Sequence, residues 1–442
     1  MRFLFMDEKG PQNSFKISNP FNKTNKISYA NDNMHSYVAN VIQIEESDYT
    51  QIEREYKVIV EEYLSYRPQL KISLETKGKE LKGLDMLKSN FEYGIASMKK
   101  NEIKFYIALL DLLLKFNVGN LLFMISKMSV ITSSRLINFL YFLDSDTEFS
   151  PFLAKYIVTK YAEVEASEEV IKALLDKRVP TKIILQLIRD DMFAIIEKNR
   201  DNIRMSRQID VYMQFIMAID KALNCKKELV EPDLPLSFDW NKVKWAFDLW
   251  MTEWSYNKTT IQWWLFLDEG IPQDVFSHLN FDKIVGNCNS KSYIGLQITD
   301  MIVVLIGKLI SQLNLVTRYD FEKPDQRVLV SRDYFKLSEE QFDFIKKLHH
   351  FILAREGKYH FINDTYFDDS VLLQTYIEYI ASYADFDNYN KVGEMQHPEL
   401  HMQYFMEISE MKFQEGIEKE SLEKLIYGTI EAAVEEKMAR PL

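Results

Sequence analysis

The sequence predicts an α/β protein with a mixed-sheet core, a large all-helical insertion and a helical C-terminal region. Three observations lead to this prediction. Residues 1–128 alternate strand and helix patterns, residues 129–257 show helical periodicity with almost no strand pattern, and strand patterns return from residue 258. Alternating strands and helices are typical of a layered α/β core. We therefore expect the core in two parts, 1–128 and 258–330, separated by the insertion and followed by the C-terminal region over 331–442.

The first part of the core opens with a short apolar run that ends at a carboxylate. Residues 2–6 are followed directly by Asp7 and Glu8, which is typical of a buried strand that presents acids at its C-terminal end. Segments 37–44 and 118–125 predict two further strands. Apolar residues at helical spacing predict one helix over 52–64, capped by Ser47 and Asp48, and a second helix over 87–116.

The middle of the chain is predicted to be helical throughout. We expect it to interrupt the sheet between strands that are neighbours or near-neighbours. The four tryptophans that follow are expected to pack helices together, because bulky residues at four- and five-residue spacing anchor helix interfaces. The tryptophans are Trp240, Trp245, Trp250 and Trp254, and the segments with helical periodicity are 136–143, 152–161, 170–175, 183–196 and 209–223.

The second part of the core begins with predicted strands over 260–268 and 281–285, followed by a helix over 293–313. Asp268 lies at the end of the first of these strands. A capping box that starts at Ser338 and ends at Gln341 opens the helical C-terminal region. Between Glu394 and Met438 there are four Lys and eleven Glu, so this acidic tail is not expected to contact phosphate groups.

Composition excludes several classes of protein. The net charge is −12, which argues against a broadly basic surface that coats nucleic acid. A local basic patch over residues 71–104, with eight Lys against five acids, remains a candidate contact for nucleic acid. Two distant cysteines and the absence of an apolar export segment predict a cytoplasmic protein. The most apolar run, 301–310, is shorter than the roughly 20 residues of a membrane span, so no membrane association is expected.

Acidic residues from three separated segments are candidates for one shared site. They are Asp7 at the first strand end, Glu75 before Lys77, and Asp300 on the late helix. Asp300 interrupts an apolar run, and a carboxylate there is costly to bury unless it binds a cation or a hydrogen-bond donor. Helical spacing places Gln297 on the same side as Asp300. His397 and His401, also at helical spacing, are a weaker candidate for a metal site in the tail.

Three short segments resemble signatures of one family, in the family order. The segment Met6-Asp7-Glu8-Lys9-Gly10 resembles an opening DESG signature, and Glu75-Thr76-Lys77-Gly78 resembles a central E-x-K signature. The segment Gly295-Leu296-Gln297-Ile298-Thr299-Asp300 resembles a GLQxAD signature. On these residues the sequence resembles the family catalogued as domain of unknown function 3800, over roughly residues 1–128 and 258–350.

The resemblance implies a ribonuclease-H-like fold, in which central strands and the last helix bring acids together around Mg²⁺ or Mn²⁺. It implies that Asp7, Glu75 and Asp300 are catalytic metal ligands, with Asp268 as a further catalytic acid. Two hard cations about 3.5–4 Å apart need carboxylate oxygens in this way to activate water for phosphodiester hydrolysis. The predicted substrate-binding residues are Lys77, Lys79 and Gln297, with Lys77 placed to meet a phosphate oxygen. The expected function is therefore a metal-dependent nuclease acting on DNA or RNA.

The chain departs from the family signatures at three positions, which keeps a second function open. Ser126 stands where many relatives have a carboxylate, and Lys9 and Thr299 replace a Ser and an Ala of the signatures. A hydroxyl is a poor substitute for an anionic metal ligand. The alternative is a non-catalytic interaction protein that keeps the fold and binds a protein partner through the helical insertion and the acidic tail.

Overall fold

The computed structural model contains eight strands and fifteen α-helices in the part of the chain that it describes. That part comprises residues 1–9, 15–17, 27–29, 36–87, 91–147, 149–202, 205–225, 247, 250–251, 262–317, 328–354, 359–363, 369–436 and 438–439. The strands are β1 (Arg2–Lys9), β2 (Phe15–Ile17), β3 (Ile27–Tyr29), β4 (Ser36–Glu45), β5 (Gly119–Ser126), β6 (Trp263–Asp268), β7 (Lys283–Cys288) and β8 (Tyr359–Asn363).

The helices fall into three groups along the chain. The first group is α1 (Glu46–Ser65), α2 (Pro68–Lys77), α3 (Gly83–Leu87) and α4 (Lys100–Lys115). The second group is α5 (Lys127–Asp146), α6 (Pro151–Val164), α7 (Glu168–Leu175), α8 (Thr181–Lys198) and α9 (Ser206–Asn224). The third group is α10 (Ile294–Thr317), α11 (Glu339–Ile352), α12 (Asp369–Ala381), α13 (Phe386–Lys391), α14 (His397–Tyr427) and α15 (Ile430–Glu435).

Six strands form one mixed sheet in the order β7-β6-β1-β4-β5-β8, and β2 pairs with β3 separately. The β1–β4 and β4–β5 pairs are antiparallel, whereas the β1–β6, β6–β7 and β5–β8 pairs are parallel. Helices α1, α4 and α10 cover one face of the sheet, where Phe5, Val38 and Phe266 join the main apolar core. The α/β prediction and the five predicted strands are therefore confirmed.

Two predictions about the first helices are wrong. Helix α1 begins at Glu46 with Glu45 as its N-cap, so Ser47 and Asp48 lie inside the first turn and do not cap it. The helix predicted over 87–116 is broken: α3 ends at Leu87, a 3₁₀ turn covers Gly94–Ser97, and α4 begins at Lys100. Gly94 has φ +57°, which is outside the right-handed helical region and explains an interruption there.

The insertion is helical over its described residues from Lys127 to Cys225, as predicted, and it has an apolar core of its own. The insertion was expected to separate strands that are neighbours or near-neighbours, and the strands that it separates are not neighbours. It joins β5 to β6, and β4 and β1 lie between these two strands because β6 pairs with β1. Trp250 is 1% exposed and packs against the Phe247 ring, as predicted for the tryptophan stripe. The other three tryptophans lie outside the described residues.

The C-terminal region is not helical throughout, because β8 adds a parallel strand beside β5 at the sheet edge. Helices α11 and α12 also belong to the main core, where they pack against α4 and α10. The predicted capping box is confirmed: Ser338 and Gln341 exchange hydrogen bonds at the start of α11. The last helix, α15, packs instead on the insertion, where the backbone N–H of Ile430 donates to Asp144 at 2.6 Å.

The start of α10 lies directly on β1. A Cβ atom on Gly295 would be only 2.2 Å from the Phe5 ring, so glycine is needed for this close approach. The Thr299 hydroxyl lies 2.7 Å from the Gly295 carbonyl and 3.3 Å from that of Phe5. Ile294–Asn314 is long and apolar enough to cross a membrane, but 78% of its most apolar window is buried in the protein. The helix is therefore only a weak indication of a membrane span.

Candidate active site

Three aspartates from different elements lie close together at the C-terminal ends of β1 and β6. Asp7 lies near the end of β1, Asp268 is the last residue of β6, and Asp300 is in the second turn of α10. Met6 pairs with Leu267 in the parallel β1–β6 ladder, so Asp7 and Asp268 follow side by side on the face that α10 covers. Asp7 is 5% exposed, and the other two are partly buried. We refer to Asp7, Asp268 and Asp300 as the aspartate cluster.

Burial raises the pKa of every member of the aspartate cluster, and repulsion from other members adds to this for Asp7 and Asp300. For Asp7 the pKa lies well above its usual value, first because of burial and then because of the charges of Asp268 and Asp300. Burial is also the main cause for Asp268 and Asp300. A hydrogen bond joins Asp268 to Asp7, and it lowers the pKa of Asp268 against the effect of burial. The cluster therefore favours binding either protons or a positive ion.

Backbone N–H groups hold two of the carboxylates in place. The Glu8 N–H donates to Oδ1 of Asp7 at 2.6 Å, and the Gly83 N–H donates to Oδ2 of Asp300 at 2.7 Å. A hydrogen bond from a fixed backbone group restricts the rotamer of the carboxylate that accepts it. The first residue of α3 therefore orients the acid on α10.

Lys82 supplies positive charge to the aspartate cluster. Its Nζ lies 3.2 Å from Oε1 of Glu80 and donates to Oγ of Ser290 at 2.9 Å. Burial lowers the pKa of Lys82, but the charges of Asp300, Asp7 and Glu80 outweigh this effect and the pKa is raised. The side chain keeps 34% of its surface exposed, so the ammonium group remains accessible from solvent.

The structure does not bring Glu75 into this arrangement. Glu75 is exposed near the end of α2, where it contributes to the electrostatics of Lys71. Gly78, with φ +55°, ends α2 and turns the chain, and the next acid, Glu80, accepts a hydrogen bond from Ser290 at 2.7 Å. The assignment of Glu75 to the site is therefore corrected to Glu80, which reaches the aspartate cluster through Lys82.

A signal for this correction was present in the sequence. The pattern Glu-x-Lys-Gly occurs twice, first as Glu75-Thr76-Lys77-Gly78 and again as Glu80-Leu81-Lys82-Gly83. The second copy contains Lys82 and the Gly83 N–H that contact the cluster or its neighbours. Lys77 and Lys79 are exposed on the preceding turn and lie outside the cluster.

Gln297 and Ser126 have structural partners within the protein. The Gln297 amide donates to the Ser290 carbonyl at 2.9 Å, which ties α10 to the turn that also holds Glu80 and Lys82. Ser126 donates to Glu163 at 2.7 Å and caps α5 by accepting from the Ser129 N–H. Because β4 separates β5 from β1, Ser126 lies two strands away from Asp7.

Sequence reasoning missed two buried polar groups on the same face as the aspartate cluster. Asn40 on β4 is the direct cross-strand partner of Asp7 and is 0% exposed. Among the described residues its Oδ1 has no hydrogen-bond partner. The same holds there for the buried hydroxyl of Tyr56 on α1, whose pKa is raised by burial and by the charges of Asp300 and Glu80. An Asn within a β-branched strand and a Tyr within a helical stripe gave no local signal of a site.

The histidines of the tail are part of the core and not of this site. His397 hydrogen-bonds to the Tyr379 hydroxyl at 2.8 Å and stacks on Tyr389. His401 is 0% exposed among aromatic rings, and burial lowers its pKa to about 4. Over the described ranges, no group of three or more His, Cys, Asp or Glu side chains is already arranged to hold a metal ion.

Comparison of the chain with protein-family models, with curated proteins and with solved structures gave no match. The resemblance to the domain of unknown function 3800 family therefore stays a prediction from the three sequence signatures.

Proposed function

We propose that the protein is a metal-dependent nuclease that hydrolyses phosphodiester bonds of DNA or RNA at the aspartate cluster. The observation that carries this proposal is the meeting of three carboxylates, from two adjacent strands and one helix, in a buried position where the pKa of each is raised. Burying like charges together is unfavourable unless a cation or protons compensate them. Such sites are often functional for this reason.

The sheet supports a ribonuclease-H-like core as part of the proposal. Three consecutive antiparallel strands, β1, β4 and β5, are followed along the chain by β6 and β7, which add in parallel on the other side of β1. A ribonuclease-H-like core has this arrangement. Of the acids that the resemblance implies, Asp7 and Asp268 are on neighbouring strands and Asp300 is on the helix that follows, whereas Glu75 lies elsewhere.

The donors present fit Mg²⁺ or Mn²⁺ in their chemistry, because these ions prefer oxygen ligands. Asp7, Asp268 and Asp300 would hold the ion, and the buried Oδ1 of Asn40, which has no hydrogen-bond partner, is a further oxygen beside them. A bound divalent ion would supply an activated water at neutral pH and would stabilise negative charge on the phosphate. The positive charge of Lys82 compensates part of the negative charge of Asp7 and Asp300. A bound ion would compete with Lys82 for these carboxylates.

Lys82 is the residue best placed to meet a phosphate group of the substrate. Glu80 and Ser290 hold its ammonium group beside the aspartate cluster, and a third of the side chain faces solvent. Lys77 and Lys79 are exposed on the preceding turn and would contact phosphates farther along the nucleic acid. Two other lysines of the basic patch are paired, Lys71 with Glu61 and Lys100 with Glu340, which reduces the positive charge available there.

Cleavage assays with the purified chain test this proposal. With Mg²⁺ or Mn²⁺ it should cleave single-stranded DNA, double-stranded DNA or RNA, and Asp300→Asn should abolish cleavage without unfolding the protein. Asp274→Asn is the matched control, because Asp274 is an exposed acid of the same part of the core. If no substrate is cleaved and neither cation raises the melting temperature, the nuclease proposal is wrong.

A second candidate function, binding of a protein partner without catalysis, is favoured by exposed apolar side chains. Met217 on α9 is 68% exposed, and Leu425 and Ile426 near the end of α14 are 83% and 61% exposed. Adjacent exposed apolar residues such as Leu425 and Ile426 are common at protein interfaces. This alternative expects Asp300→Asn to leave binding of the protein partner intact. Leu425→Glu together with Ile426→Glu should abolish that binding.

We also propose a cytoplasmic location for either function. Cys225 is exposed and Cys288 is buried, and neither forms a disulfide. Cysteines that are not joined in a disulfide are usual in reducing compartments.

A further inference from the structure

We propose that Asn40 is an additional oxygen ligand of the cation site, and that Asn120 holds its amide in the binding orientation. This inference rests on the proposed function, because it names a residue of the same site. It starts from a row of polar side chains that crosses four neighbouring strands on one face of the sheet. The row consists of Asp268 on β6, Asp7 on β1, Asn40 on β4 and Asn120 on β5.

Asn40 lies next to Asp7 because of the strand register. The two residues are directly opposite each other in the antiparallel β1–β4 pair. Side chains in such positions point to the same face, and their Cβ atoms are about 4.5–5.5 Å apart. Both residues are buried, and Asn40 is fully so. The short Asn side chain is therefore within reach of an ion that Asp7 binds.

The hydrogen bonds of Asn40 fix which way its amide points. Nδ2 donates to Oδ1 of Asn120 at 2.6 Å and to the backbone carbonyl of Leu121 at 3.2 Å. A backbone carbonyl only accepts hydrogen bonds, so the atom that faces Leu121 must be the NH₂ group. Both acceptors are on β5, and β4 lies between β5 and β1. The amide oxygen is thus turned away from β5, toward the side of the strand where Asp7 lies.

In this position the amide oxygen has no hydrogen-bond partner in the part of the chain that the structure describes. A buried carbonyl oxygen without a donor is unfavourable, and native structures rarely keep one without a reason. Asn120 is in a similar state, because its oxygen accepts from Asn40 while its own NH₂ group has no partner. The pair is therefore not arranged to satisfy itself. It fixes Asn40 with its oxygen on the side of β4 where Asp7 lies.

A neutral oxygen ligand suits this place. A fourth carboxylate would add to the repulsion within the aspartate cluster, whereas an amide oxygen adds a donor of the type that Mg²⁺ and Mn²⁺ prefer without adding charge. Loss of this ligand should weaken cation binding by a factor of about ten to one hundred.

The test is the affinity of the purified full chain for Mn²⁺, measured by electron paramagnetic resonance of the free ion. We expect Asn40→Leu to weaken binding at least about tenfold and Asn120→Leu to weaken it less, because Asn40 stays but its amide can turn. Gln43→Leu is the matched control. Gln43 is a buried amide on the same strand but on the opposite face, where it donates to Glu45, so its removal should leave Mn²⁺ affinity unchanged.

A second variant separates a role as a ligand from a role in packing. Asn40→Asp keeps the shape and adds a charge, so without metal it should melt at a lower temperature than the wild type. With Mn²⁺ it should gain more in melting temperature than the wild type gains. Unchanged Mn²⁺ affinity in folded Asn40→Leu, or an equal gain in Asn40→Asp, would overturn this inference alone. If the wild type binds no divalent cation, the proposed function fails and the inference fails with it.

Discussion

The backbone N–H of Gly83 donates to the carboxylate of Asp300 at 2.7 Å, across 217 positions of the sequence. This contact places the second Glu-x-Lys-Gly segment, with Glu80 and Lys82, against the first turns of α10. The approach is close: a Cβ atom at position 83 would lie 2.8 Å from Cβ of Val304 and 3.2 Å from the Asp300 carbonyl oxygen. Glycine at this position is therefore a condition for the geometry of the site.

The variant Gly83→Ala should destabilise the protein and weaken cation binding together. The added methyl group has to push α3 away from α10, at a cost of about 1–3 kcal/mol, which is usual for overpacking a core. Urea unfolding measures the change in stability, and the metal-dependent rise in melting temperature reports the site. Wild-type values for both quantities would show that the contact does not position Asp300.

Asp7→Asn should raise the free energy of unfolding at neutral pH in the absence of metal. The pKa of Asp7 is raised in the folded state by burial and by Asp268 and Asp300, so the folded state holds its proton more tightly than the unfolded state. The stability from that proton is complete below the unfolded pKa and is lost as the pH rises through the folded pKa. The variant avoids this loss, which amounts to about 1.4 kcal/mol for each unit by which the pKa is raised.

Urea unfolding of wild type and Asp7→Asn between pH 4 and pH 8 measures this effect. The difference between the two proteins should be small at the acidic end and should grow with pH. A difference of the same size at every pH would mean that packing, and not the charge of Asp7, controls the result.

Lys82→Met should increase the affinity for Mg²⁺ or Mn²⁺ and at the same time reduce cleavage. The ammonium group compensates part of the charge of Asp7 and Asp300, so its removal makes the cluster more negative and should tighten cation binding about tenfold. Cleavage should fall because the phosphate loses its positively charged partner. Calorimetric titration and a cleavage assay on the same sample check both parts, and weaker cation binding would contradict the competition between lysine and metal.

The two acids of the repeated motif should respond differently to the same change. Glu75→Gln should leave cleavage within about twofold of wild type, because Glu75 is exposed and lies outside the cluster. Glu80→Gln should reduce cleavage about tenfold or more, because Glu80 and Ser290 orient the ammonium group of Lys82. Equal effects of the two variants, measured with the same substrate, would mean that Glu75 belongs to the site after all.

Local patterns in the sequence located the aspartates but not the residues that support them. The apolar run before Asp7 ends abruptly at that residue, and the helix around Asp300 has apolar residues at helical spacing. Both patterns can be recognised within a short stretch of sequence. The choice between Glu75 and Glu80 depends on a hydrogen bond to Ser290, which is distant in sequence, and the same four-residue pattern fits both. The motif alone therefore does not distinguish Glu75 from Glu80, whereas the tertiary contact with Ser290 does.

Strand β8 and the position of Asn40 could not be predicted for a similar physical reason. β8 is formed by pairing with β5 at the sheet edge, so its strand conformation depends on a partner more than two hundred residues earlier. Asn40 sits in a strand whose pattern fixes only which face each side chain takes. Its place beside Asp7 follows from the β1–β4 register, and its orientation follows from Leu121 on a third strand.

The attachment of α15 to the helical insertion has a consequence for folding during synthesis. Ile430 is buried in the apolar core that α5 to α9 form, and its N–H is bound by Asp144. A ribosome releases the insertion helices long before residue 430 is made, so the growing chain exposes the apolar groove that Ile430 later fills. Nascent chains of this kind are prone to aggregate or to recruit chaperones until the missing segment arrives. The insertion therefore completes its core only after Ile430 has been translated, about 200 residues after the last helix of the insertion.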